Sequence, residues 1–114
     1  MSRRPLVISP QSYPPALKVV GTDVTVLASS DETRGPAFTY QAGEQGMGPP
    51  PHSHDWDEAF FVTRGSVEFN CDGTLQTCPA GTLVFVPAGT VHGFQYGPDG
   101  GEMLELTGAG SQAT

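Results

Sequence analysis

The chain has 114 residues, with 5 Lys and Arg against 12 Asp and Glu, for a net charge of −7. That length predicts one domain over 1–114, able to bury roughly two-thirds of its unfolded surface without disulfide staples. The acidic balance argues against nucleic acid and anionic membranes as partners, since both need a basic footprint, and no apolar run reaches a transmembrane length. The 15 glycines and 11 prolines are spaced as punctuation between short β-type runs, which predicts many tight turns.

Residues 1–16 hold Pro5, Pro10, Pro14 and Pro15 and are read as an arm, with an edge strand at Leu6–Ile8. Arg3-Arg4 is followed by an apolar run that stops at Ser9-Pro10, too short for an export signal, so a cytoplasmic protein is expected. Short strands follow at Leu17–Val20 and Val24–Leu27, then a polar turn over 29–36 and an alternating strand at Ala37–Ala42 with Phe38 and Tyr40 on one face. The loop 43–51 carries three consecutive prolines and leads into His52.

An extended backbone from His52 onward alternates its side chains with period two. His52, His54, Trp56, Glu58, Phe60 and Val62 then share one face, with Asp55 and Asp57 on the other, toward solvent. Two imidazoles and a carboxylate ahead of an apolar stretch suit a divalent transition metal, and His92 completes the set if the fold brings it near. Trp56–Thr63 reads as a strand, turned at Arg64-Gly65 into Ser66–Asn70.

Asp72-Gly73 supplies the positive φ of a tight hairpin, which pairs Asn70 with Leu75 and sets Cys78 opposite Val67. Cys71 and Cys78 then do not face each other, so no disulfide is expected and a reduced compartment fits. Strands at Thr82–Val86, Val91–Tyr96 and Glu102–Thr107 follow, separated by 87–90 and a loop at 97–101, with a flexible tail at 108–114. About ten short antiparallel strands and no helical periodicity predict an all-β sandwich or barrel.

Gly46, His52-Ser53-His54, Glu58 and Gly65 together resemble the first cupin motif. Gly81, Pro87-Ala88-Gly89 and His92 resemble the second, fifteen residues on, so that the two motifs span 46–96. The resemblance implies a double-stranded β-helix, or jelly-roll barrel, with His52, His54, Glu58 and His92 binding one metal among Fe, Mn, Ni, Co, Cu and Zn. It also implies a homodimer that exchanges N-terminal strands by edge pairing. The second motif often closes on Asn where this chain has Tyr96.

Three imidazoles and one carboxylate would leave the ion positively charged with one or two open positions for a small-molecule substrate. Phe38, Tyr40, Trp56, Phe60, Phe94 and Tyr96 are candidates for a substrate pocket, although barrel core is the ordinary role for most of them. Tyr40 and Tyr96 carry hydroxyls that need partners when buried. Glu44 and Gln45 are read as a surface loop, Met47 and Met103 as packing residues, and Arg34 and Arg64 as surface charges. The resemblance suggests a metal-dependent dioxygenase acting on an enolisable substrate, with Glu58 as ligand and proton acceptor. Oxygen-independent isomerisation, cyclisation or decarboxylation, and ligand binding without turnover, are the alternatives.

Overall fold

A computed structural model describes residues 3–108. The strands are β1 (Leu17–Val19), β2 (Thr22–Ala28), β3 (Ala37–Gly43), β4 (Glu58–Cys71), β5 (Thr74–Pro79), β6 (Leu83–Val86) and β7 (His92–Thr107). They form a single antiparallel sheet in the order β1-β2-β3-β7-β4-β5, with β6 also paired to β4. The all-β architecture read from the sequence is therefore present, with seven strands in place of about ten among the described residues.

The difference lies in two long strands. Arg64-Gly65 does not reverse the chain; it is a bulge inside β4, with register shifts between Val62 and Arg64 and between Gly65 and Val67. The expected loop at 97–101 is likewise an excursion inside β7, because Val67 pairs with Tyr96 while Gly65 pairs with Gly101. Bulges bend a strand and let it serve two parts of a curled sheet. Gly65 is required there: its φ is +68°, and a Cβ would lie 2.2 Å from the Gly100 carbonyl oxygen.

The hairpin register is as the Asp-Gly turn predicts, with Asn70 opposite Leu75 and Val67 opposite Cys78. Both cysteines are free thiols, and burial pushes both upward, away from the reactive thiolate. Residues 29–36 contain one helical turn, α1 (Ser30–Thr33), closed by a capping box in which Ser29 and Glu32 bond reciprocally. No strand forms at Leu6–Ile8, and the arm residues 3–16 are exposed. From residue 109 the expected tail lies outside the described residues.

The core sits on the concave face of the sheet, where Phe60, Val62, Val67, Phe69, Val86, Phe94, Tyr96 and Met103 are buried. The convex face is also apolar. Ladder pairing sets Phe85, Ala59, Leu106 and Phe38 in one row and Leu83, Phe61, Leu104 and Tyr40 in the next. Of these, Phe61, Leu83, Phe85 and Leu106 are solvent-exposed. Among the described residues no helix is long and apolar enough to cross a membrane.

Candidate metal centre

His52 and His92 are fixed against each other by backbone. Each donates its N–H to the other's carbonyl at 2.8 Å, a single antiparallel bridge outside the regular ladders. The loop before His52 reaches that position because Gly48 runs over β7 at φ +146°, where a Cβ would lie 2.1 Å from the Phe94 carbonyl oxygen. His54 is held from the other side by Gly89, whose N–H donates to the His54 carbonyl at 2.8 Å. Asp57 is exposed, as expected, yet it braces the same turn by accepting from the Ala88 N–H at 2.8 Å. Residues 53–57 are not a strand; the regular ladder begins only at Glu58.

Those constraints bring one ring nitrogen each of His52, His54 and His92 within 4.8 Å of one another. The tautomers follow from the backbone. His52 Nδ1 lies 2.8 Å from the Pro50 carbonyl and His92 Nδ1 lies 2.9 Å from the Thr90 carbonyl. A carbonyl only accepts, so each Nδ1 carries a proton and each neutral ring keeps its lone pair on Nε2. This is the usual way an outer hydrogen bond orients a ligating imidazole. Burial holds His54 below the ordinary imidazole range, with Glu58 opposing and His52 and His92 reinforcing the shift.

Glu58 closes the group. Its Oε1 is 2.9 Å from His92 Nε2 and its Oε2 is 3.5 Å from His54 Nε2. Trp56 stacks on His54, with ring centroids 4.5 Å apart and planes 6° apart, and donates its indole N–H to Glu58 Oε2 at 3.3 Å. Glu58 and His92 are 4% and 2% exposed. An Nε2 lone pair facing a carboxylate oxygen at 2.9 Å places two acceptors against each other, which requires a proton or a cation between them. The donor set of three imidazoles and one carboxylate therefore fits a divalent transition metal.

A cavity of about 250 Å3 opens over His52, His54 and Glu58 and is lined also by Val19, Val20, Gln41, Phe60, Phe94 and Glu105. Phe60 and Phe94 thus reach the cavity, and Trp56 touches the centre through His54 and Glu58. Phe38 and Tyr40 do not. They project from the convex face, where Phe38 pairs with Leu106 and the Tyr40 hydroxyl bonds Glu102. Arg64 bonds the same Glu102 at 2.7 Å and is an exposed charge, as expected. Tyr96 lies beneath Phe94 at a ring distance of 5.7 Å, away from the cavity. Its hydroxyl is buried beside Thr22, and burial pushes it up to about 12, with the Thr22 hydroxyl opposing the shift.

Glu105 is the acidic group that sequence reading missed. Burial pushes its carboxyl up to about 8; the neighbouring Glu58 adds to this, and hydrogen bonds from Thr39 and Gln41 oppose it. A folded-state value raised above the ordinary 4.5 means that the native state holds the proton longer than the unfolded chain. The metal-free protein is therefore expected to lose stability as pH rises from about 4.5 to about 8. Denaturant midpoints at pH 5.5 and 8.5 check this. Glu105→Gln should flatten the difference relative to the parent, and an unchanged difference would refute the assignment.

Residues 37–106 match the family model described as the Cupin domain. Over 84 residues, 70% of this chain, the sequence is 33% identical to an acireductone dioxygenase from Saccharopolyspora erythraea, covering 43% of that protein. Over 52 residues, 41% of this chain, it is 48% identical to an acireductone dioxygenase from Picosynechococcus sp., covering 30% of it. The chain thus spans less than half the length of either relative. The solved structure of KdgF from Halomonas sp. matches with a TM-score of 0.85 over 96% of this chain and 98% of that one, at 16% identity, a likeness of fold alone. With that family match over most of the sheet, and with both histidine-bearing motifs at one centre, the chain belongs to the cupin family.

Proposed function

We propose that this chain is a metal-dependent cupin dioxygenase acting on a small enolisable substrate chelated to a metal held by His52, His54, His92 and Glu58. The convergence of three imidazoles on one point, with a buried carboxylate against His92, carries the reading. The resemblance to acireductone dioxygenases supports the reaction class. A bound divalent transition metal would supply Lewis acidity and, if redox-active, electron transfer.

The chain's own residues do the rest. The Pro50 and Thr90 carbonyls hold the Nδ1 protons of His52 and His92 and keep the Nε2 lone pairs inward. In this reading Glu58 takes a proton from the substrate; the Trp56 N–H, which donates to its Oε2, supports that role. Phe60 and Phe94 wall the cavity with apolar surface, which lowers the local dielectric around the carboxylate. Dioxygen uptake by iron-, nickel- or cobalt-loaded protein across a panel of enolisable chelators tests the reading. Uptake that needs both metal and substrate supports it, and no uptake across the panel overturns it.

A second reading rests on Glu105. Two carboxyls in one cavity are also the arrangement of an oxygen-independent isomerase, cyclase or decarboxylase, with Glu58 and Glu105 moving the proton. Turnover under strict anaerobiosis separates the two. Saturable binding without product in either atmosphere would mark a small-molecule-binding module.

The same reading includes a homodimer. The convex apolar rows would be covered by a second copy, and the arm carries exposed Leu6, Val7 and Ile8 for exchange between protomers. Light scattering during gel filtration is expected to give twice the chain mass at micromolar concentration. Phe85→Glu, a charge on that face, should shift the protein to monomer. A monomeric parent would contradict the assembly.

A further inference from the structure

We infer that Glu105, anchored by Thr39 and Gln41, is a specificity-determining residue that hydrogen-bonds a hydroxyl of the chelated substrate, selecting ligands that carry a hydroxyl beyond the chelating pair. The inference rests on the metal reading above and extends it to the substrate.

Glu105 stands on β7, opposite Thr39 of β3 and Phe60 of β4, on the concave side. Its Oε1 accepts from Gln41 Nε2 at 2.6 Å and from Thr39 Oγ1 at 2.9 Å. Gln41 is 7% exposed and also donates to Thr39 Oγ1 at 3.1 Å, so the anchor is itself held. Two bonds to one oxygen fix the carboxyl plane; its further partner in the metal-free protein is the Glu58 carboxyl, which a bound metal would engage instead. Glu105 lines the same cavity as His52, His54 and Glu58 and interacts directly with the Glu58 carboxyl.

A second carboxyl beside Glu58 costs stability, and a fold without a use for it would place an apolar side chain there. Among the described residues no lysine or arginine lines the cavity. A second carboxylate or a phosphate on the substrate would therefore find no cationic side chain, whereas a hydroxyl finds a fixed partner. A site built to bond a hydroxyl discriminates against the analogue that lacks it, because its own polar group is left unpaired. The position of Glu105 beside Glu58 places that hydroxyl next to the chelating pair. The substrate class is thus a compact chelator with an adjacent hydroxyl and no second anionic group.

Catechol and pyrogallol share the chelating pair and differ by one adjacent hydroxyl. Their binding to zinc-loaded full-length protein would be measured by calorimetry under anaerobic conditions, with zinc stoichiometry determined separately. The parent is expected to bind pyrogallol at least about 10-fold more tightly than catechol. In Glu105→Met that ratio should fall to near one with zinc content unchanged, since Gln41 and Thr39 still satisfy each other. Glu105→Gln, which keeps a polar partner, should retain most of the preference. If Glu105→Met does not fold, Gln41→Met carries the test by releasing the anchor, and the ratio should drop at least about threefold.

Equal affinities in the parent, or a preference that survives in the variant used, would overturn the inference while the metal centre stands. Failure to take up zinc would overturn the metal reading, and the inference with it.

Discussion

His92→Ala is expected to abolish stoichiometric metal binding. His92 is 2% exposed, is set by the backbone bridge to His52, and meets Glu58 at 2.9 Å. Loss of an outer partner alone typically weakens a site roughly 10–100-fold, so removing a ligand should exceed about 100-fold. The effect is legible in stability as well as affinity. Metal at about 100 times its dissociation constant stabilises the parent by about 2.7 kcal/mol, an upward melting shift of roughly ten degrees for a domain of this size. In the variant, added metal should leave the melting curve unmoved. Without metal the variant should also be weaker, because Glu58 stays buried and loses a partner. Elemental analysis with paired melting curves checks both statements. One metal per chain retained in the variant would refute the role of His92.

Phe60→Ala should be among the most destabilising single substitutions in the molecule. Phe60 is 1% exposed and packs on Phe69 and Phe94 at ring distances of 5.1 and 5.8 Å, with His92 at 6.5 Å. Truncation of a buried phenylalanine costs about 3–5 kcal/mol, since the lost transfer energy is joined by the cavity left behind. That is a large share of the roughly 5–15 kcal/mol that holds a domain folded. The void would open beneath the metal centre and loosen His92 from below, so metal affinity should fall alongside stability. Denaturant midpoints in metal-free protein and zinc titrations in mild buffer separate the two effects. A midpoint close to the parent would show that Phe60 is not the floor of the site.

The parts of the molecule that the sequence made legible are those fixed by local chemistry. Asp72-Gly73 sets the register of its hairpin because only a tight turn with positive φ fits there. The spacing of His52, His54, Glu58 and His92 could be read because ligating side chains are few and their motif is dense. Facing was harder. Period-two alternation says which residues share a side of a strand, never which side points inward. On β3 the inward residues are Thr39 and Gln41, while the outward ones are Phe38 and Tyr40. Alternation alone therefore offers the apolar pair as pocket candidates, whereas the polar pair faces inward.

Glu105 escaped notice for the same reason. Between Leu104 and Leu106 it reads as the solvent side of an ordinary strand, yet those leucines lie on the convex face and the carboxyl points toward the metal centre. β4 and β7 run longer than their sequence suggests because glycine-rich turn signals at 64–65 and 97–101 mark bulges in a ladder as readily as chain reversals. His52, His54 and Trp56 share a side without forming a strand, since the three prolines before them and the 87–89 turn opposite position them.

The most direct test of the metal centre is X-ray absorption at the zinc edge of protein loaded with one equivalent of zinc. The proposed centre predicts three imidazole nitrogens at about 2.0–2.1 Å, with the remaining donors oxygen. A shell of oxygen alone, or fewer than two imidazoles, would contradict it.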